Sequence, residues 1–457
     1  MENESFRDHL STVTQEGKRV WVYPKKQKGK FYTARTIVSV FLLAFLFLTP
    51  WIKIDGHPFM LFNIFDRKFI LFGFAFGPQD FYIFALGFVT LVVFVVLFTA
   101  VYGRIFCGWV CPQTVFMEMV FRKIEYIIEG DANKQRALDA APMNGTKFFK
   151  KTLKHVIFFI IAFLIGNTFM AYLIGIDKTL DIMNHPPTEH LAGFIAVMVF
   201  SGVFYFVFSK FREQACTIVC PYGRLQGVLL DPNSIVVAYD YVRGEPRGKL
   251  NEVKGDCIDC HLCVAVCPTG IDIRNGTQLE CVNCTSCIDA CDSIMDRINK
   301  PKGLIRYASM KGIIDKVKFK FTPRIILYTS LLLILLTILT GLLLSRSDIK
   351  ANILRSPGKV YSEMPDNRIS NLYHVVLVNN TFKDVPVEVK TNTPGAQILL
   401  IGKDIVIPSL SVHEAEFMVV MDKDKINTTV LQLNIQVFAN GKLFYETKTT
   451  FIGPQKK

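Results

Sequence analysis

Residues 257–291 read CIDCHLCVAVCPTGIDIRNGTQLECVNCTSCIDAC, eight cysteines laid out as two copies of one spacing. Cys257, Cys260, Cys263 and Cys267 form C-x2-C-x2-C-x3-C followed by Pro268, and Cys281, Cys284, Cys287 and Cys291 repeat it with Asp292 in the proline's place. Structural zinc favours C-x2-C pairs parted by a long spacer, not four thiols in one tight run. The run is the one that wraps a [4Fe-4S] cluster, and in two-cluster ferredoxins the fourth cysteine of each run reaches across to the other cluster. The expected ligand sets are Cys257, Cys260, Cys263 and Cys291 for one cluster and Cys281, Cys284, Cys287 and Cys267 for the second. Asp292 in place of proline is expected to loosen the turn at Cys291. His261 lies inside the first run, but four thiolates are already present, so it reads as a neighbour and not a ligand.

On both sides of this unit the chain is apolar. Its 457 residues are 51% hydrophobic and its mean hydropathy is +0.32, values that place part of the chain in lipid. Residues 36–52, 81–102, 156–176, 191–209 and 325–345 are long and almost free of charge, each near the roughly 20 residues a helix needs to cross the hydrocarbon core. The first 35 residues are polar and basic and show no cleavable signal peptide. Lysine and arginine number eight before the first span, nine in residues 104–154 and seventeen in residues 210–324, against three in 53–80 and one in 177–190. By the positive-inside bias, residues 1–35 and 210–324 are cytoplasmic and residues 346–457 lie outside. The eight thiols, in a segment of about residues 250–300, then sit in a reducing compartment where disulfides do not persist. The net charge of +13 reads as an inner-leaflet anchor, because no nucleic-acid motif accompanies it.

The remaining four cysteines make a second pattern. GRIFCGWVCPQ (103–113) follows the second span and EQACTIVCPYG (213–223) follows the fourth, so each of these cytoplasmic ends carries C-x3-C-P. On one helix, positions i and i+4 share a face, which would direct Cys107 with Cys111, and Cys216 with Cys220, to a common point. Soft thiolates select Cu(I), zinc or iron-sulfur clusters. A redox-active dithiol and a pair of small buried hydrophobes are the other readings.

The motifs NIFDRKFILFGFAFGPQDF, GRIFCGWVCPQTVFMEMVFRKIE and REQACTIVCPYGRLQGVLLDPNS, followed by the double cysteine run, resemble those of the cytochrome c oxidase accessory family known as CcoG, FixG or RdxA, over essentially the whole chain. The pairing of C-x3-C-P with a ferredoxin run is less specific, since membrane polyferredoxins of nitrate and nitrous oxide reduction share it. The resemblance implies a bacterial inner-membrane protein of five spans, with an inserted two-[4Fe-4S] ferredoxin domain and a C-terminal immunoglobulin-like domain in the periplasm. It further implies a cupric reductase, converting Cu(II) to Cu(I) in support of cbb-type oxidase assembly. A copper-exporting ATPase, copper chaperones and oxidase subunits are then the partners, and Cys107, Cys111, Cys216 and Cys220 the catalytic copper site. A non-catalytic copper-handling scaffold and an electron donor to an external redox enzyme are the alternatives. No dinucleotide or flavin fingerprint is present, so the electrons come from another protein or a quinol.

The outer segment is different material. Residues 372–380, 385–390, 398–407, 413–421 and 429–452 are β-rich, and Asn440-Gly441 is a hairpin signal; about 110 residues of this kind suit an immunoglobulin-like sandwich. Without a chemical motif, it reads as a docking module. His155 opens the third span without a facing histidine, which argues against a haem. Met183, His185 and His190 read as parts of a polar turn. The aromatic residues of 59–77 are expected along the outer membrane interface, interrupted by Asp66, Arg67 and Lys68.

Overall fold

The computed structural model describes residues 11–454 apart from 15, 66–67, 78–79, 250–254, 317–321, 403–404 and 427. It divides into two compact units: Met1–Pro50 with Ala85–Ile338, and Trp51–Phe84 with Leu339–Lys457. Among the described residues, five helices are long and apolar enough to cross a membrane: α1 (Lys30–Leu48), α2 (Phe81–Tyr102), α3 (Gly145–Ile174), α4 (Leu191–Phe206) and α5 (Pro323–Leu344). The third helix starts well before its apolar stretch. The Asn144 side chain accepts the Lys147 N–H and caps it, so a basic turn precedes the greasy part.

In the first unit, a helical run from Pro112 to Ile128 follows α2 and a short helix, Ile105–Trp109. Its Phe116, Met117 and Phe121 pack on Phe158 and Ile165 of α3 and on Phe208, just beyond α4. One turn further on, the same run meets charge instead. Arg212 forms a bidentate pair with Glu125 at 2.9 Å for both bonds, Arg122 lies 2.9 Å from Glu118, Arg19 bonds Glu213 at 2.8 Å and Lys154 lies 2.9 Å from Glu129. Buried charges persist only when paired in this way. Burial raises the Glu125 carboxyl, but Arg212, Lys154 and Arg122 outweigh it and hold the group below its usual range.

The cysteine-rich part is closed by a two-stranded antiparallel sheet, Val236–Tyr239 with Ile305–Ala308, and by the helix Ser286–Arg297. Val237, Ile273, Ile288, Met295, Leu304 and Ile305 form its core, with Cys257 and Cys263 buried among them. Cys291 lies inside that helix, so no turn exists there for Asp292 to loosen. A proline at 292 would break the helix; Asp292 continues it and accepts the Gly303 N–H at 2.9 Å.

The second unit is a β-sandwich. Its strands are β1 (Ile349–Arg355), β2 (Ser362–Met364), β3 (Arg368–Asn379), β4 (Val385–Thr391), β5 (Ala396–Leu400), β6 (Ile405–Ile407), β7 (Ser411–Asp422), β8 (Val430–Ala439) and β9 (Lys442–Ile452). One sheet runs β5-β7-β3-β1 with β2 beside β3, the other β6-β4-β8-β9. Strand β4 shows why: Val385, Val387 and Val389 are buried while Pro386, Glu388 and Lys390 are exposed, the period-2 alternation of a half-buried strand. The stretch 398–407 is two strands in different sheets, and β1 and β2 have no counterpart among the sequence-read runs. Asn440 (φ 50°) and Gly441 (φ 77°) take the left-handed pair that a two-residue type I′ hairpin requires.

Residues 59–77 also belong to this unit. They form a three-stranded antiparallel sheet, Leu61–Asn63, Lys68–Leu71 and Phe74–Phe76, whose Leu61, Ile70 and Ala75 pack on Phe382 and Leu410 of the sandwich. Phe65, Phe72 and Phe74 remain exposed, so the aromatic residues divide between a protein face and an outer face. Asp66 and Arg67 fall outside the described residues. Asp80, fully buried, lies 3.0 Å from Arg346 and 2.6 Å from Lys350.

Candidate iron-sulfur and thiol site

The two ferredoxin runs repeat in backbone as well as spacing. Asp259 and His261 in the first, and Asn283 and Thr285 in the second, all take positive φ, a conformation that Asp, Asn and His tolerate better than most residues. A short helix (Leu262–Ala265) or the longer Ser286–Arg297 then follows.

The thiols fall into two groups. Cys257, Cys260, Cys263 and Cys291 line one cavity together with Met295, Leu304 and Ile305. Burial pushes the Cys291 thiol up to about 12, and the neighbouring Cys263, Cys257 and Cys260 add to the shift. Burial pushes Cys281 up to about 12, with Cys284 and Cys267 as its thiol neighbours; Cys267 rises to about 11 by burial, then by Cys284. The fourth cysteine of each run thus lies among the first three of the other. Four soft donors round an apolar-walled cavity fit a [4Fe-4S] cubane, whose iron would displace the protons that burial otherwise keeps on. Cys260 is exposed, unlike the rest. Beside it, Arg274 bonds His261 Nδ1 at 2.9 Å and Asp272 at 2.6 Å, so His261, itself in the cavity lining, is tied into an ionic lattice.

The C-x3-C-P pairs do not share one helical face. Cys107 lies in the helix Ile105–Trp109, but Cys111 is extended (φ −56°, ψ 125°) and caps the next helix. Cys220 (φ −66°, ψ 111°) does the same for Pro221–Leu229. Proline disfavours α geometry in the residue before it, so each motif breaks at its second cysteine and leaves that sulfur at a helix N-terminus, whose dipole favours negative charge. The four thiols still converge. Cys216 is raised to about 12 by burial first and then by Cys111, Cys107 and Cys220; Cys107 rises to about 11 by burial, opposed by a bond with the Gln226 amide. Among the described residues, no three His, Cys, Asp or Glu side chains gather round a single-ion point.

Glycine and arginine join the two sets of thiols. A Cβ at Gly108, between Cys107 and Cys111, would stand 2.5 Å from the Val282 carbonyl oxygen and 2.8 Å from that of Asn283, so only glycine lets the thiol loop rest on the second cysteine run. Arg35 is buried and donates to Gly108 O at 3.0 Å and Cys284 O at 2.9 Å. Arg104 donates to the carbonyls of Leu279 and Gly223, and Trp109 Nε1 donates to Tyr307 Oη at 3.1 Å. Spacing arguments pass over Arg35, Arg104, Gln226 and Gly108. Their only sequence signal is adjacency to a span end or a cysteine.

Residues 211–310 match the family described as a 4Fe-4S dicluster domain, residues 84–129 a 4Fe-4S binding domain, and residues 339–454 the IG-like fold at the C-terminus of FixG. The nitrogen fixation protein FixG of Rhizobium meliloti is 33% identical over 413 residues, 79% of this chain and 77% of that protein. Protein RdxA of Cereibacter sphaeroides is 36% identical over 386 residues, 80% of this chain and 81% of that one. A crystal structure of a FixG-related protein from Vibrio parahaemolyticus is 17% identical and covers 23% of this chain and 97% of its own, with a TM-score of 0.20, too low to bear on the argument.

Proposed function

We propose, for a chain that belongs to the FixG/RdxA family of membrane iron-sulfur electron-transfer proteins, that its electrons are delivered to Cu(II) at Cys107, Cys111, Cys216 and Cys220. Cys257, Cys260, Cys263 and Cys291 would hold one [4Fe-4S] cluster and Cys281, Cys284, Cys287 and Cys267 the other; when bound, these supply electrons singly. Each Cu(II) takes one electron to become Cu(I), and soft thiolates favour that product. The observation that carries the reading is the seat of Gly108 on Val282 and Asn283, which sets the membrane thiols against the second cysteine run. Arg35, bonded to both loops, fixes that approach. The basic bias puts this side in the cytoplasm. Reduced copper then serves a cbb-type oxidase through a copper-exporting ATPase and chaperones, with the sandwich as the docking module outside.

Dithionite-reduced protein, desalted anaerobically, should be oxidised by Cu(II) with stoichiometric Cu(I) captured by a chelator. Serine at all four C-x3-C-P positions should slow this sharply with iron content unchanged. Protein with oxidised clusters and intact thiols is the control. Equal Cu(I) from that control would remove the clusters as the electron source and favour the scaffold reading.

A second reading has its own support: the 4Fe-4S binding domain over residues 84–129 includes Cys107 and Cys111, and the four thiols do not gather round a single-ion point. They would then hold a third cluster. About eight irons per chain favours the copper reading and about twelve the third cluster.

A further inference from the structure

We propose that this chain takes its electrons from a membrane quinol, oxidised in an open groove at the polar end of α3. The inference rests on the electron-transfer reading above and supplies its missing donor. The groove, of about 640 Å3, is lined by Met143, Phe148, Lys151, His155, Phe159 and Tyr205 among others, a volume ordinary for a small-molecule site. Its polar centre is one pair, His155 Nδ1 and Tyr205 Oη, 2.9 Å apart.

Hydrogen bonding points to the occupant. The lysine in the lining is paired, since Lys151 Nζ lies 2.9 Å from Glu129 and 2.5 Å from Asp139, while the exposed Lys210 also bears on the imidazole. The imidazole–phenol pair matches the hydroxyls of a quinol, and competition by phosphatidylglycerol separates a lipid phosphate from it. The exposed Val156 and Ile160 carry the apolar wall along α3, where an isoprenoid tail can lie. His155 comes about three turns after the cap at Asn144, directly before the apolar stretch 156–176.

The chemistry balances. Oxidation of one quinol breaks two O–H bonds and yields quinone, two protons and two electrons. In the tautomer that donates Nδ1–H to Tyr205 Oη, His155 Nε2 is free to accept each proton in turn and release it to water at the open rim. The electrons pass singly to two one-electron acceptors, the [4Fe-4S] clusters of this family's dicluster domain. Aromatic rings fill the space further in: Phe204, adjacent to Tyr205 in the chain, lies 4.5 Å from Phe208 and 5.4 Å from Phe116 between ring centroids, and Phe116 belongs to the helical run that Cys111 opens.

The test uses holoprotein in nanodiscs with menadiol as reductant under argon. Bleaching of the cluster absorbance should slow about a hundredfold or more in His155→Gln, the scale of a lost proton acceptor, and less in Tyr205→Phe, with dithionite reduction and iron content unchanged in both. An azido-naphthoquinone photolabel should attach within residues 143–160 or at Tyr205, and menaquinone should displace it. A parental rate in His155→Gln, labelling elsewhere, or displacement by phosphatidylglycerol would each overturn the inference. Cu(II) oxidation of the dithionite-reduced protein bypasses the groove, so its failure alone removes the copper reading and leaves the quinol site standing.

Discussion

The sandwich core and the cysteine-bearing region are built on opposite rules. In the sandwich, Val375, Leu377, Phe417, Val419, Ile435 and Val437 are fully buried and apolar, and stability comes from area removed from water, a non-directional term. Around the thiols, an apolar core shares the interior with Arg35, Arg104, Arg122, Arg212 and Glu213, which are held by hydrogen bonds or ion pairs. The difference teaches what each region is for. An area-driven core tolerates repacking and holds a shape; a lattice of directed bonds tolerates little but fixes sulfur positions for a metal.

The sharpest break is Arg212→Ala, which strands Glu125 without its bidentate partner. A loss of about 3–5 kcal/mol is expected, and it should reach the metal site: iron per chain after anaerobic purification should drop. Phe417→Ala should cost a similar about 3–5 kcal/mol, yet limited proteolysis should show the damage confined to the sandwich, with iron at the parental level. If both substitutions lowered iron equally, the two regions would not be independent.

Gly108→Ala is smaller and more local. Its Cβ forces the Val282–Asn283 backbone away, at about 1–3 kcal/mol, and should slow Cu(I) production from reduced protein while iron content holds. An unchanged rate would mean that contact is structural only.

The smallest effect is electrostatic. Burial raises the Asp272 carboxyl, but the Arg274 guanidinium outweighs it and holds the group below its usual range. A depressed carboxylate contributes stability that is present above its unfolded pKa of about 3.9 and is lost as pH falls through the folded value. Asp272→Asn should cost about 1 kcal/mol at pH 7. Between pH 5 and 3 the parent's denaturation midpoint, read from loss of iron absorbance, should therefore fall more than the variant's.

Local signals in the chain mark the spans, the two cysteine runs and the Asn440-Gly441 turn. They mark less where a signal competes with its surroundings. The aromatic richness of residues 59–77 suggests a lipid interface, and Phe65, Phe72 and Phe74 are exposed, but the cross-strand row Leu61, Ile70 and Ala75, one residue from each strand, packs on Phe382 and Leu410, which no local signal announces. Cys111 and Cys220 show a missed local rule: the proline after each was enough to exclude a shared helical face.

By itself the sequence determined what is periodic or adjacent: five apolar stretches of spanning length, two copies of a four-thiol run, a hairpin turn. These are set by hydrogen bonding and dihedral preference within a few residues. Tertiary structure alone decided what meets what. Arg35 reaches Cys284 across 249 positions of chain, Cys291 comes to lie with Cys257, Cys260 and Cys263, and Gly108 rests on Asn283. No spacing encodes such meetings, because a contact between distant segments depends on how every intervening element packs, and only the closed fold brings the membrane thiols against the second cysteine run.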